Sequence, residues 1–235
     1  MTSIKNAQRI RKTHRYLGLF LGIQFLFWTI SGLYFSWTDI DEIHGDHFKN
    51  EEYSPPVFSG LIGMNELTPK TSVSTIQLRS INEQPFYLIN GEKLYDAISG
   101  KLKNDISEEE ALSIAKERMK ASMEVKSIEL ITETDKHHEF RGGPLPSYVI
   151  SYKGDDEVKA YVAKSSASFI TVRHKAWRWF DFLWMTHTMD YEGRDNMNNW
   201  LLRAFSILGL ITVLSGFVLW FTSSGTVRRI KGGRR

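Results

Sequence analysis

The chain has 235 residues, 42% of them hydrophobic, with 30 Lys and Arg against 27 Asp and Glu and no Cys. That length holds one domain of ordinary size, and the negative mean hydropathy argues against a polytopic transporter. The absence of Cys excludes disulfides, thiolate zinc sites, iron–sulfur clusters and covalently attached haem.

Residues 1–15 form a basic arm, with Lys5, Arg9, Arg11, Lys12 and Arg15 and no acid. An apolar run follows from Tyr16 to Trp37, uncharged between Leu19 and Ser36. At 1.5 Å per residue it reaches about 33 Å, enough to cross a hydrocarbon core of about 30 Å. It is too long for a signal-peptide core, and no small-x-small site follows Trp37, so it reads as an uncleaved transmembrane helix. Gly18 and Gly22 continue through Thr29, Gly32 and Ser36 as a stripe of small residues that lets a second helix approach closely. His14, four residues before Gly18, points along that stripe, whereas Gln24 sits on a different face and calls for an interhelical partner.

After the first span comes a polar collar. It carries Asp39, Asp41, Glu42, His44, Asp46 and His47. His44 and His47, three residues apart, share a helical face if the helix runs on. Residues 50–70 read as loop, with Pro55-Pro56. Short strands are expected at Thr71–Arg79, Pro85–Ile89 and Lys93–Ala97, the last two joined by an Asn90-Gly91 hairpin turn. Ser107 and Glu110 make a capping box for a helix whose apolar stripe is Ala111, Ile114, Ala115 and Met119. Four strands follow, at Val125–Thr132, Ser147–Tyr152, Lys159–Val162 and Ser168–Arg173, with a turn over Arg141–Pro146.

A second apolar run, Trp200 to Phe221, is broken only by Arg203, whose long side chain can snorkel. Ser206, Gly209, Thr212 and Gly216 give it a similar stripe. Residues 222–235 add Arg228, Arg229, Lys231, Arg234 and Arg235, again with no acid. By the positive-inside rule both termini are cytoplasmic and residues 38–199 lie outside. Setting aside the ten terminal bases leaves 20 Lys and Arg against 27 acids, a net of −7. Anchoring at an anionic lipid leaflet accounts for the basic tails, and no nucleic-acid partner is implied.

The stretch Ile106–Ala115, with Pro146–Tyr152 and Ala160–Ala163, resembles a PepSY domain. The flanks His14–Gly18, Ser31-Gly32, Trp184–His187 and Leu214–Trp220 are similar to the PepSY-associated transmembrane-helix family of bacterial inner-membrane proteins. The resemblance implies an α+β extracytoplasmic domain, a helix plus antiparallel strands, carried by two transmembrane α-helices. A degraded second copy of that order is expected in residues 60–100. Larger family members carry four spans and are associated with haem and ferric-siderophore reduction. With two spans, this chain would need a homodimer or a partner membrane subunit, docked through the glycine-lined helix faces, to build a four-helix bundle.

His187 falls on the resemblance and precedes the second span. With His44 and His47 and the neighbouring acids it could coordinate a metal ion, or two of these imidazoles could ligate haem b axially. The aromatic run Trp177, Trp179, Phe180, Phe182 and Trp184 supplies apolar surface for a porphyrin. His14 stands at the cytoplasmic end, and since the closing span has no His, a bis-His site there needs a second chain. Plainer readings stand beside these. Trp177 to Trp184 fit an interfacial aromatic belt, His44 and His47 solvated collar residues, and His14 a headgroup neighbour. His137, His138 and His174 read as exposed, and Glu108 to Glu110 as a solvated helix start. No Gly-x-Ser-x-Gly, His-Glu-x-x-His, P-loop or dinucleotide fingerprint occurs. Two functions fit: a haem- or metal-binding accessory to electron transfer toward an extracytoplasmic acceptor such as a ferric chelate, or a non-catalytic membrane-anchored module that binds a periplasmic protein.

Overall fold

An unbroken helix, α1 (Ile4–Trp37), opens the chain in the computed structural model, which describes residues 4–67 and 72–225. The helix therefore begins inside the basic arm rather than at Tyr16, and its 34 residues rise about 51 Å. The bases of the C-terminal tail and the start of the strand expected at Thr71 lie outside the described residues. The chain forms two units, a helical one (Met1–Trp37 with Asp181–Arg235) and a sheet unit (Thr38–Phe180).

In the helical unit, segments of α1 (Gln8–Trp37) and of a second long helix (Trp200–Phe221) are each long and apolar enough to cross a membrane. That second helix, α5 (Trp200–Ser223), starts on an Asn199 cap whose side chain accepts from the Leu202 N–H at 2.8 Å. The two helices pack antiparallel. His14 meets Ser215, Phe20 stacks on Phe205 with ring centroids 5.6 Å apart, and Phe25 lies against Gly209. Glycine on α5 permits this approach, since a Cβ at 209 would stand 3.1 Å from the Phe25 ring. The stripe on α1 behaves otherwise: a Cβ at Gly18, Gly22 or Gly32 would meet nothing within 4 Å. Its packed face instead carries Leu21, Gln24 and Ser31, all buried. Leu19, Ile23 and Leu26 on α1 and Phe217 and Trp220 on α5 are exposed, as helices solvated by lipid require.

The run from Trp177 to Trp184 lies within a helix, α4 (Lys175–Thr188). The carbonyls of its last turn, which no intrahelical donor can reach, are met by side chains. Gln24 Nε2 donates to Thr186 O at 3.1 Å, Trp28 Nε1 to His187 O at 2.8 Å, and Asn199 Nδ2 to Thr188 O at 2.9 Å. Gln24 thus has the interhelical partner its position demanded.

The sheet unit begins with a single helical turn, α2 (Ile40–Ile43), capped by Asp39, and a 3-10 turn at Asp46–Phe48. Two antiparallel four-stranded sheets follow. The first runs β1 (Ile76–Ile81), β2 (Gln84–Ile89), β3 (Lys93–Asp96) and β4 (Leu102–Lys103) in simple order. Asn90 and Gly91, both at positive φ, turn β2 into β3 as the dipeptide predicted. Next comes α3 (Glu108–Arg118) with its capping box formed, then β5 (Val125–Ile131), β6 (Ser147–Tyr152), β7 (Lys159–Ala163) and β8 (Phe169–Arg173), again in order. Helix plus four strands is thus present once. The strands of the expected second copy exist, but among the described residues of 60–100 no helix accompanies them. Ala111, Ile114, Ala115 and Met119 join Leu88 and Leu94 of the first sheet to Ile150, Val162 and Val172 of the second in one core. The structure is an α+β domain carried by two apolar helices.

Candidate functional site

His187 sits in the last turn of α4, with its Nδ1 2.7 Å from Ser31 Oγ. The Ser31 hydroxyl has one proton, and the Phe27 carbonyl 2.6 Å away can only accept it. Towards His187 the serine must therefore accept. Nδ1 carries the imidazole proton, and the lone pair is left on Nε2, to which no described residue hydrogen-bonds. The ring is walled by Phe35 at 5.6 Å and Trp28 at 6.5 Å between centroids, and Phe35 meets Trp184 at 5.8 Å.

His14 repeats this arrangement on the same helix. Its Nδ1 lies 2.8 Å from Ser215 Oγ, whose proton goes to Thr212 O at 2.7 Å. Again the imidazole donates through Nδ1 and keeps its lone pair on Nε2. His14 is thus tied to the closing span by a hydrogen bond and is not a free headgroup neighbour. An imidazole fixed through one nitrogen with the other free is how proteins present an iron or zinc ligand.

The collar histidines are arranged differently from expectation. Gly45, at φ +76°, stops the helical path between them, so His44 ends α2 and His47 lies in the following 3-10 turn, not on one helical face. Both are exposed. His47 stacks on Phe48 with centroids 3.9 Å apart and meets His174 at 5.4 Å. His174, expected at the surface, is only 3% exposed, and its Nε2 donates to the carbonyls of Glu42 and Ile43, each at 3.1 Å. Burial holds its pKa below the usual imidazole value, against the hydrogen bonds to those carbonyls. It fastens the collar to the end of β8. His44 and His47 belong to the sheet unit and His187 to the helical unit. Among the described residues, no three His, Asp or Glu side chains gather as metal ligands.

The acids nearby have structural work. Asp39 caps α2, and Asp181 pairs with Arg194. Asp190 closes the loop after α4 by accepting from Asn196 N at 2.8 Å and Gly193 N at 3.3 Å. Burial pushes the Asp190 carboxyl up, but these N–H groups outweigh it and hold the pKa below the ordinary value. Ser31 and Ser215 were not singled out as functional, although each lies in a segment that carried the family resemblance.

A family model described as the PepSY-associated TM region matches residues 2–223, nearly the whole chain. No curated protein and no solved structure matches it. The two apolar helices, the helix-and-sheet domain between them and the extent of that match lead to one statement: the chain belongs to the PepSY-associated TM family.

Proposed function

We propose that the protein resides in the bacterial inner membrane, with both termini cytoplasmic and residues 38–199 outside. There it holds haem b as an accessory to electron transfer toward an extracytoplasmic acceptor such as a ferric chelate. The observation that carries this reading is the twofold occurrence of one arrangement, His187 on Ser31 and His14 on Ser215, each with its Nε2 lone pair free. Ser31 and residue 14 stand 17 positions apart on α1, about 26 Å of helix rise, so the two imidazoles serve opposite leaflets.

These residues suit a haem in kind. A neutral imidazole bound through Nε2 is an ordinary axial ligand, and Phe35, Trp28 and Trp184 offer the apolar walls a porphyrin requires. Each level supplies one such ligand from this chain. A second copy, or a partner membrane subunit seated on the open Gly18–Gly22 face of α1, would supply the other. When bound, haem contributes a one-electron couple. The chain's own part is to fix the imidazole tautomer through the serines and to keep water off the ring. To test this, the full chain is purified in mild detergent after expression with haem supplied. A Soret band that His187→Ala weakens is expected. No Soret band, together with no bound metal by elemental analysis, defeats the reading.

The second reading, a membrane-anchored module that binds a periplasmic protein, is favoured by the outer strands of the two sheets, β1 and β4 in one and β5 and β8 in the other, beside which no further strand lies among the described residues. A stoichiometric partner that co-purifies equally with His187→Ala would select it.

A further inference from the structure

Between β1, the end of α3 and the start of β8 lies a cavity of about 200 Å³. Two arginines enter it, and neither has an ion pair with a described residue. Arg79 donates through Nη2 to Gln77 Oε1 at 2.6 Å and Ser168 Oγ at 3.4 Å, but its Nε is buried with no acceptor. The Arg118 guanidinium lies over the Tyr53 ring at 4.3 Å and within 5.5 Å of the Phe169 centroid, which holds its plane without neutralising it. The acid in the cavity wall, Glu117, makes no hydrogen bond or ion pair with either guanidinium, though the Arg118 charge attracts it. Burial, with the Glu83 carboxylate nearby, pushes its pKa up against the pull of Arg118. Two half-buried guanidiniums beside one unmet N–H, with no carboxylate in direct contact with either, form a site that an anion would complete.

The walls indicate what completes it. Tyr53, Pro55, Pro56, Phe58 and Phe169 give it an apolar lining, and the Arg118 guanidinium lies against the Tyr53 and Phe169 rings. We infer that this cavity binds a carboxylate carried on an apolar body, with Arg79 and Arg118 gripping the anion and the aromatic wall receiving the body. A planar carboxylate matches the guanidinium fork, and the volume admits a group the size of one side chain. The ligand is either the free C-terminal end of a peptide or a small aromatic acid. The inference stands apart from the haem reading and uses none of its residues.

Isothermal titration of the full chain in detergent tests it with four probes: N-acetyl-Gly-Phe with a free C-terminus, the same peptide as its amide, benzoate and inorganic phosphate. The acid peptide binds, and the amide binds about tenfold more weakly or worse. Arg118→Gln weakens the acid about tenfold with an unchanged near-UV spectrum, and Arg118→Lys, which keeps charge but loses the fork, weakens it less. A peptide acid that outbinds benzoate assigns chain ends; equal binding assigns small acids. Both results support the site. Equal binding of acid and amide, no binding of any carboxylate, phosphate binding as tight as benzoate, or full affinity in both Arg79→Gln and Arg118→Gln would overturn it.

Discussion

Glu139 offers the sharpest energetic test of the sheet unit. Its side chain is 10% exposed and accepts three charged or polar donors: Tyr161 OH at 2.7 Å, Lys159 Nζ at 3.0 Å and Arg178 Nε at 2.6 Å. Burial alone raises this carboxyl, but the bonds from Arg178, Tyr161 and Lys159 outweigh it and bring the pKa from 4.5 down to about 2. At about 1.36 kcal/mol per pH unit, that drop makes the ionised form worth about 3 kcal/mol of folding free energy at neutral pH. Because the folded pKa lies below the unfolded one, the contribution is complete above about pH 4.5 and disappears as the pH falls toward about 2. Glu139→Gln should therefore lower the urea midpoint of the sheet-unit transition, read by near-UV circular dichroism of the full chain in detergent. The gap between wild type and variant should close as the pH falls through that window. Equal midpoints at neutral pH, or a gap that does not change with acid, would refute the assignment of this cluster as a net stabiliser.

Four further outcomes follow from particular contacts. Gly45→Ala puts a Cβ at φ +76° and 3.0 Å from Val172 Cγ1, and should cost about 1–3 kcal/mol in thermal unfolding. Ser107→Ala removes one arm of the α3 capping box and should cost about 1 kcal/mol by the same measurement. His174 is held neutral by burial, so its share of stability is present above about pH 6.5 and lost below it; His174→Gln should flatten that part of a stability–pH curve. If the helical unit holds haem, Ser31→Ala should weaken haem retention about 10–100-fold in a titration read at the Soret band, by freeing the His187 tautomer.

What could be read from the sequence was what local chemistry decides. The α3 cap depends on two residues three apart, the β2–β3 turn on Asn90 and Gly91, and strands such as Ser147–Tyr152 on apolar and aromatic runs bounded by turn residues; all formed. What escaped depends on partners far along the chain. His174 beside Lys175 looked exposed, yet its burial is decided by carbonyls more than a hundred residues earlier. α4 was hidden because a run dense in Trp and Phe matches an interfacial belt as well as a helix, and no capping residue announces its start. The stripe on α1 was visible, but period alone cannot say whether a small-residue face meets this chain's other helix or remains open. Here the docking face carries Leu21, Gln24 and Ser31, and the glycines stay free.

The two serines show why site chemistry can be fixed before any cofactor arrives. A serine within a helix commonly gives its proton to a carbonyl one turn back, and Ser31 and Ser215 both do so. That bond is internal to α1 or α5 and needs no partner. Once it is made, the hydroxyl can only accept, so any imidazole laid against it must donate through the nitrogen it presents. Both imidazoles present Nδ1, and with the serine proton so placed both keep the lone pair on Nε2. The same constraint acts at two levels of α1, once against α4 and once against α5, which makes a shared purpose a simpler account than two separate accidents of packing. Under the proposed haem reading, this chain would provide one of the two imidazoles at each level. A second copy related by a twofold axis along the helices would complete both at once, each histidine meeting its own equivalent.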